Sequence, residues 1–307
     1  MADIIKVEHL SYVYNPGMPN AVTALDDVSF TVEEGDFVGI IGATGSGKST
    51  LITHMNGLNK PTSGKIYIDG RDLWEDPEKI RDFRFLTGLV FQYPEYQLFE
   101  ETCYKDIAFG PRNMGLDEAE IDRRVHEAAD FVGLDPALLE RSPFELSGGQ
   151  KRRVAIAGVL AMKPEVLILD EPTAGLDPKG RDDILGLVAR LHAEQGMTVI
   201  LVSHSRDEIY RFSEELLVID DGKQICYGDT KAIFDCPEQV EAARLTGCKN
   251  IVQVKRLDEH SIEIPDWGTR LHLEQEIDAE ITHIGLRAHE FIPVWGERED
   301  NCIPVKE

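Results

Sequence analysis

The stretch GATGSGKST, Gly42 to Thr50, decides the fold of this chain. It satisfies the pattern G-x-x-x-x-G-K-[ST], follows the apolar run FVGII and precedes the helical pattern STLITHMNGL. In a strand, loop and helix of this order, glycines let backbone N–H groups curl around phosphates at the start of the helix. The stretch therefore predicts a nucleotide-binding α/β domain, and its flanking elements argue against an ordinary glycine-rich turn.

Two side chains of this loop have distinct predicted roles. Lys48 is expected to reach the β and γ phosphates of the nucleotide, and Ser49 to offer its hydroxyl to Mg²⁺. The other predicted nucleotide contacts on the loop are Gly42, Thr44, Gly45, Ser46, Gly47 and Thr50.

The composition is that of a cytosolic globular protein. A chain of 307 residues with 42% hydrophobic residues has room for one large or two moderate domains and for a proper core. Its cysteines contain no CxxC pair, so neither a disulfide framework nor a zinc site is expected, and a reducing compartment fits best. They are Cys103, Cys226, Cys236, Cys248 and Cys302.

Charge and hydropathy restrict the partners. The net charge of −24, from 56 acidic and 32 basic residues, would repel a phosphate backbone, so nucleic acid is not expected as a partner. No apolar run approaches the roughly 18 residues that span a bilayer, and the start MADIIKVEHL lacks a basic flank followed by an apolar stretch. We expect a chain that neither crosses a membrane nor is exported.

The hydrophobic patterns predict three regions. Residues 1–237 combine alternating segments such as KVEHLSYVY and DDVSFTVEEGD, a β-ribbon at GKIYIDGRDL, and the continuous apolar runs EVLILDEP and MTVILVSH with helical patterns between them. This indicates a mixed-sheet core with an N-terminal antiparallel β subdomain. The helical spacing between Leu116 and Gly133 indicates an inserted helical subdomain at about 94–163. Residues 238–307 are predicted to form a small β-rich C-terminal module.

The segment VLILDE ends a buried strand in two acids, Asp170 and Glu171. The carboxyl edge of a parallel sheet is where ligands lie. We expect Asp170 to hold Mg²⁺ through water and Glu171 to orient or deprotonate an attacking water. Acids at strand ends are often only solvated turn residues, but the phosphate loop upstream favours the catalytic interpretation.

The segment LSGGQ forms a second predicted anion cradle directly before the helical pattern KRRVAIAGVLAM. It contributes Ser147, Gly148, Gly149 and Gln150 and has no lysine of its own. Because one phosphate loop already wraps its own nucleotide, this cradle is predicted to complete a site on another copy or on a partner.

The order of these motifs resembles the ATP-binding cassette (ABC) ATPases over roughly residues 4 to 235. The series comprises the phosphate loop, Gln92 after an apolar strand, LSGGQ, VLILDE followed by PTAGLDP, and VILVSH ending in His204. The resemblance implies a P-loop NTPase of the ABC type that binds ATP with Mg²⁺. Two cassettes would close over two ATP molecules and part after hydrolysis.

The same resemblance implies roles for further residues. Tyr14 would stack on adenine, with Tyr12 as the alternative. Gln92 would reach Mg²⁺ and the attacking water, and His204 would bond the γ phosphate. Ser147 and Gly149 would contact the γ phosphate held by the opposite subunit, and Asp177 would lie at the dimer seam.

The subfamily is indicated by GLVFQYPEYQLFEETCYKDIAFGPRNMGL together with LSGGQKRRVAIAGVLAMKPEVLILDEPTAGLDP, which look like the ATPases of energy-coupling-factor transporters for metals and vitamins. That resemblance implies a second ABC ATPase in a homodimer or heterodimer. It also implies a transmembrane coupling protein, a membrane substrate-binding component, and a location at the cytoplasmic face of a prokaryotic membrane.

The C-terminal segment departs from that pattern and keeps alternatives open. ITHIGLRAHEFIPV looks like the end of the β module of oxyanion-, sugar- and polyamine-importer ATPases, and ARLTGCKN is similar to molybdate-type ATPases. A molybdate-like or other binding-protein-dependent importer is therefore the alternative. From another class, a soluble ABC ATPase in assembly or regulation remains possible.

The stretch LVFQYPEYQLFEET, 89–102, is interpreted in two parts. Leu89 to Phe91 are predicted to form a buried strand that Gln92 follows, and Pro94 to break the chain away from the core. Residues 96–101 then form an aromatic and acidic surface that suits a helix of the membrane partner. The alternative is that Leu98 and Phe99 only cap the small core of the helical subdomain.

Overall fold

The computed structural model describes residues 2–274 and 276–286, which divide into two compact units between Lys231 and Ala232. The sequence-based boundary after residue 237 stays a prediction. No helix within the described residues is long and apolar enough to cross a membrane.

The first unit alternates strands and helices along most of its length. Its strands are β1 (Asp3–Tyr14), β2 (Val22–Glu33), β3 (Phe37–Ile41), β4 (Ser63–Ile68), β5 (Arg71–Asp72), β6 (Thr87–Val90), β7 (Val166–Asp170), β8 (Thr198–Val202), β9 (Glu215–Asp220) and β10 (Lys223–Asp229). Its helices are α1 (Lys48–Met55), α2 (Ile80–Leu86), α3 (Cys103–Asn113), α4 (Glu118–Phe131), α5 (Gly148–Leu160), α6 (Pro178–Gln195) and α7 (Arg206–Phe212), and α8 (Thr230–Asp235) crosses the division.

The central sheet has the strand order β10-β9-β3-β8-β7-β6. Neighbouring strands from β9 to β6 pair in parallel, and β10 pairs with β9 as an antiparallel hairpin. Every residue of β3, β7 and β8 is buried, which accounts for their continuous apolar sequences. Because these strands are parallel, the residues that follow β3, β6, β7 and β8 meet at one edge of the sheet.

The N-terminal antiparallel sheet has the order β2-β1-β4-β5. Alternate residues of β1 and β2 are buried, among them Ile5, Val7 and Leu25. They share a hydrophobic core with β3, β7, β8, β9 and helix α1. This common core fixes the end of β1 beside the helix that follows the phosphate loop.

The inserted helices are α3, α4 and α5, and each contacts the other two. Thr102 caps α3 by accepting a hydrogen bond from Lys105 N at 3.2 Å, and Asp117 caps α4 by accepting one from Glu120 N at 2.9 Å. The pattern KRRVAIAGVLAM places the start of α5 at residue 151, but the helix begins at Gly148, because Ser147 supplies its cap.

The second unit contains α9 (Val240–Thr246) and the strands β11 (Asn250–Gln253), β12 (Lys255–Arg256), β13 (Ser261–Ile264), β14 (Thr269–His272) and β15 (His283–Leu286). Strands β12 to β14 form one antiparallel sheet, and β11 pairs with β15. Its core contains Val254, Ile262, Ile264, Leu271 and Ile277.

The sequence pattern of this unit needs one amendment. TKAIFDCPEQVEAARL, which reads as one helical segment, forms the two helices α8 and α9 on either side of Pro237. The last residues of ITHIGLRAHEFIPV, from Arg287 onward, and Cys302 lie outside the described residues. Cys103, Cys236 and Cys248 are free thiols.

Candidate nucleotide site

The phosphate loop lies between β3 and α1 and needs glycine at two close approaches. A Cβ atom on Gly42 would lie 2.2 Å from the carbonyl oxygen of Ile219. One on Gly47, whose φ is +102°, would lie 2.5 Å from the carbonyl oxygen of Ala24. Both contacts are to backbone, so the loop excludes any side chain at either position. Its tip, with Thr44 and Gly45, is exposed.

Lys48 is buried, and its Nζ donates hydrogen bonds of 2.9 Å to the carbonyl oxygens of Gly42 and Ala43. Burial lowers the pKa of Lys48, while the nearby carboxylates of Glu171 and Asp170 oppose that shift. The ammonium group is thus held against the loop, where its positive charge is in place before an anion binds.

Asp170 and Ser49 meet at the edge of the sheet. The Ser49 hydroxyl donates a hydrogen bond of 3.1 Å to Oδ2 of Asp170, which is buried at the end of β7. Burial raises the pKa of Asp170, and the bond from Ser49 partly opposes that shift. The two predicted magnesium ligands therefore lie side by side.

Glu171 is held from two sides. Its Oε2 accepts a hydrogen bond of 2.8 Å from Nε2 of Gln92, and its Oε1 lies 2.7 Å from Nε2 of His204. Its backbone adopts a φ of +46°, a conformation that costs a non-glycine residue about 1–3 kcal/mol. The ends of β6, β7 and β8 thus bring together three of the four predicted catalytic side chains, and the fourth is Lys48 of the phosphate loop.

Tyr14, at the end of β1, is 41% exposed, and its hydroxyl lies 3.2 Å from Oγ1 of Thr50 on α1. Tyr12 is half-buried instead, and its ring packs edge-on against Tyr14 at 4.8 Å and against His54 at 4.4 Å. Of the two rings, that of Tyr14 is the more exposed, which favours Tyr14 over Tyr12 as the base-stacking residue.

The segment Ser147 to Gln150 begins helix α5. Ser147 and Gln150 form a reciprocal capping box at the start of α5, and Gly148 and Gly149 are exposed. Asp177 is exposed and caps α6 by accepting a hydrogen bond of 2.8 Å from Gly180 N. Within the described part of the chain, no hydrogen bond or ion pair joins these residues to the phosphate loop.

The site suits a phosphate group. The Oγ atom of Ser46 is buried in the loop and has no hydrogen-bond partner, although buried hydroxyls normally find one. It lies in the same loop whose carbonyl oxygens, those of Gly42 and Ala43, accept hydrogen bonds from Lys48. An oxyanion bound there would supply the missing partner and would accept the Lys48 donors now satisfied by carbonyls.

The site also suits Mg²⁺ rather than a metal with an all-protein cage. Of residues 2–274 and 276–286, no three histidine, cysteine or carboxylate side chains form a metal-binding group. Mg²⁺ typically takes one or two protein ligands together with waters and phosphate oxygens. The pair formed by Ser49 and Asp170 matches that requirement.

The sequence patterns missed a buried cluster beside His204. Glu208 on α7 accepts hydrogen bonds from the hydroxyls of Ser203, at 2.6 Å, and Thr173, at 3.0 Å. It thereby joins the loop after β7 to the loop after β8. Its position four residues after His204, inside an otherwise ordinary helix, gives no sign of this role in the sequence.

The aromatic stretch differs from its prediction at Phe91. Strand β6 ends at Val90, so Phe91 is a half-buried loop residue, and Tyr93 has a φ of +54°. A 3₁₀ turn then spans Pro94–Gln97. Leu98 is buried, as the alternative interpretation requires, whereas Phe99 is 58% exposed and packs edge-on against Phe109 at 5.0 Å.

Comparison with known proteins places this geometry in a family. The family model described as ABC transporter matches residues 25–174. The energy-coupling factor transporter ATP-binding protein EcfA2 of Caldanaerobacter subterraneus subsp. tengcongensis is 51% identical over 261 residues, which cover 85% of this chain and 91% of that protein. The protein of the same name from Clostridium acetobutylicum is 54% identical over 261 residues, with the same two coverages.

Solved structures agree. The chain is similar to cbiO1 of Clostridium perfringens, part of the ABC transporter complex cbiONQ, with a TM-score of 0.70, 40% identity, and coverage of 78% of this chain and 93% of that one. It is also similar to the ATP-binding cassette MJ0796, solved as a dimer bound to ADP and Pi, with a TM-score of 0.66, 31% identity, and coverage of 74% and 98%.

Proposed function

This chain belongs to the ABC transporter ATPases, among the ATP-binding subunits of energy-coupling factor transporters, and on that premise we propose that it hydrolyses ATP to power a membrane importer. The observation that carries the proposal is that the ends of β6, β7 and β8 meet at one carboxylate, that of Glu171, which Gln92 and His204 hold beside the Ser49 and Asp170 pair.

The nucleotide would be held by the phosphate loop and Tyr14. Lys48 would exchange its two backbone carbonyl partners for phosphate oxygens, and Ser46 would gain the partner that its hydroxyl lacks. Tyr14 would stack on the base, since its exposed ring lies beside Thr50. Ser49, Asp170 and Gln92 would hold Mg²⁺, which when bound neutralises charge on the phosphates.

Glu171 would act as the general base. A carboxylate at the edge of the site can take a proton from an attacking water. The hydrogen bond from Gln92 and the proximity of His204 fix the orientation of the Glu171 side chain, so that the carboxylate is pre-organised for the reaction. After proton transfer, His204 would stabilise the charge on the released phosphate.

A second subunit would complete the site. Ser147, Gly148, Gly149 and Asp177 are exposed, and within the described residues no hydrogen bond or ion pair ties them to the phosphate loop of their own chain, which suits residues that serve another copy. We assign them to the nucleotide held by a partner ATPase, in a homodimer or a heterodimer. The dimer of the MJ0796 cassette with ADP and Pi supports such pairing.

The membrane partners would be a transmembrane coupling protein and a substrate-binding component, with this chain at the cytoplasmic face of a prokaryotic membrane. The relatives' names and the membership of cbiO1 in a cbiONQ complex support this assignment. The surface around the Pro94–Gln97 turn is the candidate contact, because Tyr96 is 84% exposed only four residues beyond Gln92.

The test is purification of the tagged chain from detergent-solubilised membranes, followed by reconstitution of the complex in liposomes. We expect a polytopic membrane protein to co-purify, and substrate uptake that requires ATP. The Glu171→Gln variant should assemble the same complex without uptake. Recovery of an active ATPase without any polytopic partner would contradict the proposal and favour a soluble assembly or regulatory ATPase.

A further inference from the structure

Among the residues that the structure describes, the largest fully buried side chain is an arginine, Arg152, which is 1% exposed. It lies in the second turn of α5, the helix that Ser147 caps. A guanidinium group stays charged at any accessible pH, and burial of an unpaired charge is strongly unfavourable. Its partners must therefore compensate it fully.

Those partners come from two different loops of the candidate site. Nε and Nη2 of Arg152 donate to the two carboxylate oxygens of Glu95 at 3.0 and 2.7 Å, a bidentate pair. Its Nη1 donates to the carbonyl oxygens of Pro172 and Ala174, each at 3.0 Å. One side chain thus joins α5, the Pro94–Gln97 turn and the loop after β7.

The two loops carry the two ends of the hydrogen bond between Gln92 and Glu171. Glu95 follows Gln92 by three residues, and Pro172 directly follows Glu171. Gln92 is exposed and Glu171 is half-buried, so burial alone does not fix either side chain. Arg152 joins the same two loops through four hydrogen bonds, whereas Gln92 and Glu171 are joined by one.

We propose that Arg152 is a positioning residue for ATP hydrolysis, which through Glu95 and the carbonyls of Pro172 and Ala174 holds Gln92 and Glu171 in register. Any displacement of the Pro94–Gln97 turn then reaches the catalytic carboxylate through this bridge. This inference rests on the proposed function, since it takes ATP hydrolysis as the reaction, but Arg152 and Glu95 themselves contact no substrate.

The test compares Arg152→Lys, Glu95→Gln and the double variant in the purified transporter complex. Lysine keeps the charge but cannot form the bidentate pair, and glutamine keeps the shape of Glu95 without its charge. We expect each single variant to lower kcat for ATP by on the order of ten- to a hundredfold, the effect of a small misplacement of catalytic groups. KM for ATP should stay within about twofold, since the phosphate loop is untouched.

Because both residues act through one contact, the double variant should be no slower than the slower single variant. Arg153→Lys is the matched control: this neighbouring arginine on α5 lies 3.6 Å from Asp183 and contacts neither loop. The number of nucleotide-binding sites per mole of protein, measured with a fluorescent ATP analogue, separates a slower enzyme from a partly unfolded one.

Unchanged kcat in a folded Glu95→Gln variant would overturn the inference, even where Arg152→Lys fails to fold. Losses that multiply in the double variant, or a raised KM at constant kcat, would also overturn it. A wild-type complex that hydrolyses ATP without transport would instead contradict the proposed function and leave this comparison intact.

Discussion

The side-chain amide of Gln92 donates a hydrogen bond of 2.8 Å to Glu171, across 79 positions of sequence. The two residues follow adjacent parallel strands, β6 and β7, so the sheet brings their loops to the same edge. His204, after β8, holds the other carboxylate oxygen at 2.7 Å. The carboxylate of Glu171 thus contacts residues that follow both neighbouring strands, and it is oriented before a nucleotide binds. Each of these contacts can be tested separately.

Glu171→Gln should abolish turnover while preserving ATP binding. Glutamine has nearly the shape of glutamate but cannot accept the proton, and general-base catalysis typically contributes about 10²–10⁴-fold. We expect a fall of that size in the rate of phosphate release, and an ATP-dependent dimer by size-exclusion chromatography. Glu165→Gln, exposed just before β7, is the matched control. A retained ATPase rate in Glu171→Gln would remove Glu171 from the mechanism.

Tyr14→Ala should weaken ATP binding, and Tyr14→Phe should not. Stacking on an aromatic ring contributes about 1–3 kcal/mol per base, so the alanine variant should raise Kd by roughly ten- to a hundredfold. The phenylalanine variant loses only the exposed contact to Thr50. Titration with a fluorescent ATP analogue measures both. Equal affinities for wild type and Tyr14→Ala would redirect the assignment to Tyr12.

Tyr96→Ala combined with Gln97→Ala should uncouple the transporter. Both side chains are exposed on the Pro94–Gln97 turn and contribute nothing to the phosphate loop. We expect ATP-dependent uptake in liposomes to fall while the Kd for ATP stays at the wild-type value. Met18→Ala, in an exposed loop elsewhere, serves as the control. Loss of ATP binding in the double variant would show that the turn belongs to the nucleotide site.

Asp170→Asn should stabilise the nucleotide-free protein at neutral pH. Burial raises the pKa of Asp170, so ionisation of this carboxyl favours the unfolded chain. That penalty is fully present above the folded-state pKa and disappears as the pH falls through it. We therefore expect a Tm a few degrees above wild type at pH 7, and a difference that shrinks toward acidic pH.

Thermal unfolding from pH 7 to pH 4 measures this difference, with the exposed Asp182→Asn as the control. A lower Tm for Asp170→Asn at neutral pH would mean that the carboxylate is needed by the fold rather than by the metal.

The membership in the ABC ATPases and the cassette fold are predicted from sequence and confirmed. Local signals sufficed there. Consecutive apolar residues such as those of β7 require burial on both faces, and the phosphate loop fixes the strand and helix around it. The edge that gathers Gln92, Asp170, Glu171 and His204 follows from parallel pairing. The assigned roles of these residues remain predictions.

The remaining features depend on contacts between distant residues. The sequence assigns no special role to the arginines of KRR, yet Arg152 is buried because Glu95 and two carbonyls surround it. One signal was available, since Arg152 lies on the same helix face as buried Ile156 and Leu160. For Glu208 no comparable signal exists, because its partners Ser203 and Thr173 come from two different strand ends.

The capping box at the start of α5 has a consequence for the chemistry of Ser147. As a cap, the hydroxyl accepts a hydrogen bond from Gln150 N and so uses a lone pair, not its proton. The O–H is left free to donate outward, at a helix terminus that already favours an anion. Ser147 can thus hold its own helix and a partner's phosphate at the same moment, and neither bond has to break for the other to form.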